Sequence, residues 1–345
     1  MRRILLTALL AGLIVTAGWQ GRPTVAVGQV PFPPGPGGPD RPERRFPDFQ
    51  SVVRGAKEHD GYFKLYHKED KVYAEIQPFQ FNQPWLCSIS VARGGGLGGY
   101  MLNFDEEWVL TFKRVGDKVH LIRRNVHFKA RPGSPVARAV ETTYTDSVLM
   151  ALPIVTINPM KQAVLINLND IFMTNFAQLP FGLMDPGRST WHKVKAFPKN
   201  VELQVQATFA GGRGFGRGDG SVIDPRGNTV LVHYGMVQLP DPGYQPRLAD
   251  DRVGYFLSAV KDFSSDSKDT SFIRYVRRWR VEPAEPIDPK GKKLVAPKKK
   301  IVYWIEKSVP DEYRAYVREG ILEWNKAFEK IGLRDVIEVR QQEDD

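Results

Sequence analysis

At 345 residues the chain has room for about two domains. With 42% hydrophobic and 26% charged residues, its composition is that of an ordinary globular protein. The single cysteine, Cys87, excludes a disulfide bond within the chain, and the net charge of +10 comes largely from tails and linkers without interleaved aromatic residues, which argues against nucleic-acid binding.

The first 28 residues have the pattern of a secretory signal. Arg2 and Arg3 form a charged start, and Ile4–Trp19 is an apolar run that precedes small residues suited to cleavage before Gln29. The apolar run is too short and too interrupted for a typical membrane span, which favours a cleaved signal. An uncleaved membrane anchor is the alternative. Residues 29–45 are rich in Pro and Gly and are predicted to be a disordered linker. We therefore expect a secreted or periplasmic protein with no membrane contact beyond the signal.

Residues 46–99 are predicted to form a small N-terminal region. A short helix is expected within Phe49–Lys57. Apolar and polar residues alternate in Tyr62–Tyr66 and Val72–Ile76, as in the two strands of a hairpin. Trp85–Val91 is a further predicted strand, and Cys87 within it is expected to be a small buried side chain rather than a catalytic thiol.

Two glycine-rich stretches need separate interpretation. Gly94, Gly96 and Gly99 have the spacing of a dinucleotide-binding loop, but strand-like runs follow them instead of the helix that such a site requires. We interpret them as a loop between strands. Gly211–Gly220 contains Arg217-Gly218-Asp219, a tripeptide of cell-adhesion ligands that arises easily by chance in a glycine-rich loop tip.

Residues 100–282 are predicted to form a large antiparallel β domain, because strand signals dominate and long helical periodicity is absent. One short helix is expected at Asn169–Ala177. The predicted strands are Trp108–Lys113, Lys118–Arg123, Val148–Ile157, Ala163–Leu168, Val201–Phe209, Thr229–Leu239 and Phe272–Val281.

The last of these strands is rich in arginine. If it is extended, Arg274, Arg278 and Arg280 share one face, which indicates either an exposed edge strand or contact with an acidic substrate or partner. Residues 283–300 are rich in Pro and Lys and are predicted to be a linker.

Residues 301–345 read as a strand, a helix and a second strand. Ser308 and Pro310 precede a helix whose apolar stripe continues to Ile331, and Gly332 is expected to end it in a left-handed conformation. Strands are predicted at Ile301–Ile305 and Val336–Val339. Because such a unit cannot bury both of its faces, we expect the chain to be the front part of a longer protein. The fold class is thus mainly β, followed by an incomplete α/β unit.

No catalytic, cofactor-binding or metal-binding residue is predicted. A zincin site requires two histidines four residues apart on one helix, with a glutamate after the first. The closest histidines, His120 and His127, are seven residues apart in a strand-like context. Carboxylate pairs such as Asp105 with Glu106 and Asp250 with Asp251 lie in loop-like contexts and are not distinctive. The remaining histidines are His59, His67, His192 and His233.

A likeness to a known family lies in four segments, Ser51–Ile76, His233–Phe256, Phe272–Pro283 and Ile301–Gly332. Together they resemble secreted bacterial zinc-dependent metalloproteases of the metzincin kind, which carry two N-terminal regions of uncharacterised function before the catalytic domain. The resemblance implies that residues 301–345 are a truncated start of that catalytic domain. The family's HExxHxxGxxH helix is absent from this sequence, so no zinc ligand and no general base is assigned to any residue.

In a complete member of this family, three histidines hold Zn²⁺ and a glutamate activates the water that attacks a peptide carbonyl. The resemblance therefore implies zinc in the complete protein, none on this chain, and two partners: the downstream catalytic domain and a protein or peptide substrate. The favoured hypothesis is the non-catalytic N-terminal portion of an exported metallopeptidase, inactive in isolation. The alternatives are a stand-alone β-rich binding or scaffold module, and a β region that acts as a propeptide or substrate-presenting domain. No latency device is located for the latter, and a zinc-blocking role of the Cys87 thiol is disfavoured because Cys87 lies in a predicted strand.

Overall fold

The computed structural model describes residues 45–96, 100–103, 108–211, 222–224, 226–240, 243–264, 272–288 and 293–343. The predicted signal and residues 29–44 of the predicted linker lie outside this part of the chain, as do residues 212–220 of the second glycine-rich stretch and the pair Asp105 and Glu106. All elements below belong to the unit Phe46–Asp345.

The described chain is mainly strand, with 43% of residues in strands and 16% in helices. Its helices are α1 (Phe49–Val53), α2 (Pro135–Thr143), α3 (Asn169–Phe172), α4 (Asp311–Leu322) and α5 (Trp324–Glu329). Its strands are β1 (Lys57–His59), β2 (Lys64–Lys68), β3 (Lys71–Ile76), β4 (Trp85–Arg93), β5 (Tyr100–Met101), β6 (Val109–Val115), β7 (Lys118–Arg123), β8 (Phe128–Lys129), β9 (Ser147–Pro153), β10 (Thr156–Asn158), β11 (Ala163–Asn167), β12 (Gly182–Met184), β13 (Thr190–Phe197), β14 (Asn200–Gly211), β15 (Asn228–Gln238), β16 (Leu257–Asp262), β17 (Phe272–Val276), β18 (Ile301–Ile305) and β19 (Ile337–Gln341).

Two antiparallel sheets carry the fold, which confirms the predicted β-rich region. Within the described residues, one sheet has five strands in the order β1-β2-β3-β11-β10. The other has nine, in the order β12-β14-β15-β4-β6-β7-β9, with β13 beside β14 and β5 beside β4. Strands on both sides of the predicted boundary at residues 99 and 100 pair directly, since β3 pairs with β11 and β4 pairs with β6 and β15.

The main core lies between these two sheets because alternate side chains of each strand point to one face. In β4, Trp85, Cys87, Ile89 and Val91 are buried while the residues between them are partly exposed. They join a cluster that also contains inward-facing residues of β3 and β11. The ring of Phe63 connects the two layers by edge-to-face contacts with Trp85 and Phe112.

A second, smaller core covers the opposite face of the five-stranded sheet. Phe49 and Val53 of α1 pack there against Tyr66, Tyr73 and Leu165. The helix begins at Asp48, whose carboxylate accepts a hydrogen bond from the Ser51 N–H at 3.1 Å, and it is shorter than the predicted helix Phe49–Lys57.

A three-stranded sheet, β17-β16-β8, lies apart from both cores, and none of its residues is buried. The predicted strand Phe272–Val281 is wrong after Val276. Beyond the strand, the Arg277 guanidinium donates to Ser258 Oγ of β16, and Arg278 donates to the Gln245 carbonyl oxygen of a neighbouring loop. Helix α2 was not predicted, and none of its residues is buried either.

The unit at residues 301–341 pairs β18 with β19 in parallel, connected by α4 and α5. The predicted single helix is divided at Glu323. Gly332 has φ +89°, and the Leu333 N–H donates to the Phe328 carbonyl oxygen at 3.0 Å, which confirms the predicted helix end. Residues 293–300 of the predicted linker pack on this unit, because the Val295 N–H donates to the Gly332 carbonyl oxygen and the Val295 side chain is buried.

Candidate functional site

A cleft opens where the β2–β3 turn approaches α3 and the start of β13. Its volume is about 710 Å³, within the range typical of ligand sites. Both apolar side chains and carboxylates line the cleft. The lining includes His67, Glu69, Asp70, Asn169, Asp170, Met173 and Trp191.

Trp191 is fixed in this cleft by its strand and by two contacts. The pairing of β13 with β14 shifts register between Trp191 and Lys193, and such a bulge changes the direction of the neighbouring side chains. The indole N–H of Trp191 donates to Asn169 Oδ1 at 3.1 Å. Its ring also lies edge-to-face with Phe172, with 6.3 Å between the centroids. The indole is therefore held in place before any ligand arrives.

Asn169 connects the three walls of the cleft. Besides the Trp191 indole, its Oδ1 accepts a hydrogen bond from the Val72 N–H at 3.1 Å. Its Nδ2 donates to the Asp70 carbonyl oxygen at 2.8 Å. A single amide at the start of α3 thus joins β3, the β2–β3 turn and β13, which makes the cleft a preorganised cavity.

The carboxylates of Glu69, Asp70 and Asp170 give the cleft its charge. Asp170 accepts a hydrogen bond from Asn167 Nδ2 at 3.1 Å. Burial raises the pKa of Asp170, while the Asn167 hydrogen bond and the nearby Lys71 charge act in the opposite sense. Across the described ranges, no three His, Cys, Asp or Glu side chains come close enough together to hold a metal ion.

The histidines considered from the sequence do not form one cluster, although His59 and His67 lie near each other on the paired strands β1 and β2. His67 lines the cleft, whereas His233 lies on the face of the nine-stranded sheet away from the core. His233 Nε2 is 2.6 Å from Glu202 Oε2, and its Nδ1 is 3.3 Å from Gln204 Nε2. Both ring nitrogens are therefore engaged by neighbouring side chains. His120 lies in β7, and His127 immediately precedes β8.

Cys87 is a buried strand residue, as expected. Its side chain is 0% exposed, and burial raises the pKa of its thiol to about 12. A thiolate capable of binding zinc would require a far lower pKa and access to the surface. The structure therefore gives no support to the zinc-blocking thiol.

The described glycines of the first glycine-rich stretch have a packing role. Gly94 and Gly96 have positive φ, and a Cβ added at Gly94 would lie 2.8 Å from the Thr229 carbonyl oxygen. The next described element is the strand β5 rather than a helix, in agreement with a loop between strands. Of the acidic pair Asp250 and Asp251, the first forms an ion pair with Arg252.

Apolar side chains of the 301–341 unit are exposed. Trp304 in β18 is 59% exposed. A stripe formed by Tyr313, Tyr316 and Trp324 on the helices and by Ile331 in the turn that follows them is exposed, with Tyr316 at 72% and Trp324 at 65%. The residues that do pack against β18 and β19 include Ile321, Leu322 and Phe328. The predicted apolar stripe thus exists, but most of its residues face solvent.

Sequence reasoning did not identify the cleft. Its residues come from positions about 100 apart in the chain, such as Val72 and Asn169, and meet only through strand pairing. One usable signal was Trp191, a tryptophan placed between Thr190 and His192 in a strand with little alternation. A tryptophan that is partly buried usually finds a hydrogen-bond partner for its indole N–H.

No helix in the described part of the chain has the length and apolar character needed to cross a membrane.

Comparison with known proteins gives a family but no activity. No match was found among curated proteins or among solved structures. The model of a domain of unknown function, DUF5117, matches residues 104–284. Since this match covers more than half of the 345 residues, the chain belongs to the DUF5117 family.

Proposed function

We propose that this chain is the non-catalytic N-terminal portion of an exported zinc-dependent metallopeptidase of the metzincin kind. In this proposal the unit 301–341 begins the catalytic domain, and a further part of the protein supplies three zinc-binding histidines and the general base. The resemblance of four segments to that family supports the proposal, and the signal-like first 28 residues support export to the periplasm or beyond.

The observation that carries the proposal is the exposed apolar surface of the 301–341 unit. Parallel strands are normally covered on both faces, and a two-stranded sheet is marginally stable alone. Here β18 and β19 form a parallel pair, and Trp304, Tyr316 and Trp324 are all more than half exposed. A surface with this many exposed aromatic side chains is typical of one that packs against a partner. The resemblance identifies that partner as the rest of the catalytic domain.

Zinc stoichiometry and gene sequence test this function together. The coding DNA that follows Asp345 is expected to continue into an HExxHxxGxxH motif. A polypeptide that includes this motif is expected to bind one Zn²⁺ and to cleave a protein substrate in a chelator-sensitive way. The 345-residue chain alone is expected to do neither. Tight one-to-one zinc binding by the chain alone, or a continuation without HExxH, would contradict the proposal.

A stand-alone β-rich binding module is the second candidate, and the cleft beside Trp191 is the observation that favours it. The described residues that line it all lie between His67 and Trp191, within the β-rich region. Under this alternative, the 345-residue chain is a soluble product that unfolds cooperatively and binds its ligand without zinc. Aggregation driven by the exposed stripe would count against it.

A further inference from the structure

The cleft beside Trp191 is lined by the apolar side chain of Met173 and by a preorganised aromatic ring. Met173 is buried, and the Trp191 ring is held by Asn169 and Phe172. A thioether and an indole face suit the methylene stem of a long side chain. At about 710 Å³, the cleft has room for such a side chain and for part of the peptide backbone on either side of it.

The carboxylates that line the cleft have a charge opposite to that of the protein as a whole. The chain carries a formal net charge of +10, yet three carboxylates, those of Glu69, Asp70 and Asp170, line this one cavity. In the part of the chain that the structure describes, none of the three forms an ion pair within 4.0 Å. The basic groups near them are the imidazole of His67 and the side chain of Lys71.

Asp170 is exposed at the cleft, where its carboxylate accepts the hydrogen bond from Asn167 Nδ2. Desolvation raises the pKa of Asp170, so a cation bound beside it would favour the charged form. An isosteric asparagine would still accept the hydrogen bond from Asn167 but would carry no charge.

The geometry favours an organic cation over a metal ion. A metal needs three or more ligand atoms around one point, and no such group of His, Cys, Asp or Glu occurs in the described ranges. A guanidinium or ammonium group instead offers several donors to separate acceptors, and it is also attracted to the face of an indole.

We propose that the cleft beside Trp191 binds the cationic side chain of an arginine or lysine within an extended peptide. The methylene stem lies along Met173 and Trp191, and the cationic group is held by Asp170 with Glu69 and Asp70 around it. This site belongs to the β-rich region and does not depend on the peptidase proposal. If both hold, it selects basic segments of the polypeptides that the enzyme receives.

Calorimetric titration of the full chain with matched peptides tests the site. The probes are acetyl-Gly-Gly-Arg-Gly-Gly-amide and the same peptide with citrulline, which keeps the shape of arginine without its charge. We expect the arginine peptide to bind about tenfold more tightly than the citrulline peptide, since a charge-assisted hydrogen bond is lost. Asp170→Asn is expected to lower the affinity for the arginine peptide about tenfold, and Glu69→Gln to lower it by a smaller factor.

The control variant is Asp251→Asn, which removes an exposed carboxylate that does not line the cleft and should leave binding unchanged. Trp191→Phe should weaken the arginine peptide more than the citrulline peptide, because phenylalanine attracts a cation to its ring face less strongly than tryptophan does. Equal binding of the two peptides, no binding of either at millimolar concentration, or equal effects of Asp170→Asn and Asp251→Asn would overturn the proposal. So would displacement of the arginine peptide by a neutral oligosaccharide. None of these outcomes involves zinc or peptide hydrolysis, so they leave the peptidase proposal to its own test.

Discussion

Glu75 is a carboxylate buried within the five-stranded sheet, and its neighbours explain how the fold tolerates it. Tyr66 donates its hydroxyl to Glu75 Oε2 at 2.8 Å, and Gln77 Nε2 donates to Oε1 at 2.6 Å. Asn158 Nδ2 is 3.3 Å from Oε2, and Lys161 Nζ is 3.4 Å from Oε1. Buried charges are stable only when their acceptor sites are filled in this way. The network lies on the α1 side of the sheet, away from the cleft, so we assign it to stability.

Tyr66→Phe tests that assignment at a single atom. The variant keeps the edge-to-face contact of the Tyr66 ring with Phe49 but removes the hydroxyl that donates to a buried carboxylate. We expect it to lower the free energy of unfolding by about 2 kcal/mol, the usual range for a hydrogen bond to a charged group. Urea denaturation followed by circular dichroism measures the change.

The matched control for this variant is Tyr316→Phe, which removes a hydroxyl from an exposed ring. Its free energy of unfolding should stay within about 0.5 kcal/mol of the parent chain. Equal stabilities for Tyr66→Phe and the parent would show that the Glu75 network does not depend on the tyrosine.

Among the elements, the two sheets make a contact at Gly61 that is sensitive to side-chain size. The Tyr62 N–H, just before β2, donates to the Phe197 carbonyl oxygen at the end of β13 at 2.7 Å. A Cβ added at Gly61 would lie 2.6 Å from the Phe197 nitrogen and 2.7 Å from its carbonyl oxygen. These are backbone atoms, which cannot rotate away. Gly61 therefore permits the five-stranded sheet to approach the nine-stranded sheet beside the cleft.

Gly61→Ala is expected to lower the free energy of unfolding by about 2 kcal/mol, because the added methyl group forces the two strands apart. Gly254→Ala is the control, since a Cβ at Gly254 would meet no atom within 4 Å. The control should be neutral or slightly stabilising, as it reduces the freedom of the unfolded chain. Thermal unfolding of the two variants and the parent chain measures these changes. Equal unfolding midpoints for Gly61→Ala and the parent would refute the close approach of the two sheets at Gly61.

How well each element could be predicted depended on how much of it is buried. Strand β7 was predicted with its observed bounds, Lys118–Arg123, because three of its six residues are buried and give a clear apolar signal. Strand β13 was missed, since Val194 is its only buried residue and the apolar signal is correspondingly weak. Helix α2 was missed for the same reason. The cleft could not be predicted at all, because it depends on pairings between distant segments, such as β3 with β11.

At the scale of the whole molecule, burial is unevenly distributed. The two large sheets share one extensive core, whereas six residues make up the buried cluster of the 301–341 unit. Stability should therefore be concentrated in the sheets, and the 301–341 unit should open at lower free energy. An element with few buried contacts and an exposed apolar surface is the part of this fold that a packing partner would stabilise most.

Trp324→Ala measures whether that partner exists. In the 345-residue chain the Trp324 side chain is 65% exposed, so its removal should change the free energy of unfolding by no more than about 0.5 kcal/mol. Val336→Ala, at a fully buried position of the same unit, should cost about 2 kcal/mol for two lost methyl groups and the cavity they leave. In a longer polypeptide that carries the proposed catalytic domain, Trp324→Ala should become as costly as a core substitution, about 3 kcal/mol or more. If Trp324→Ala leaves the free energy of unfolding unchanged in both polypeptides, the catalytic domain does not pack on this stripe. If it lowers the free energy of unfolding of the 345-residue chain as much as Val336→Ala does, the stripe is already covered. The exposed surface would then no longer support a missing partner.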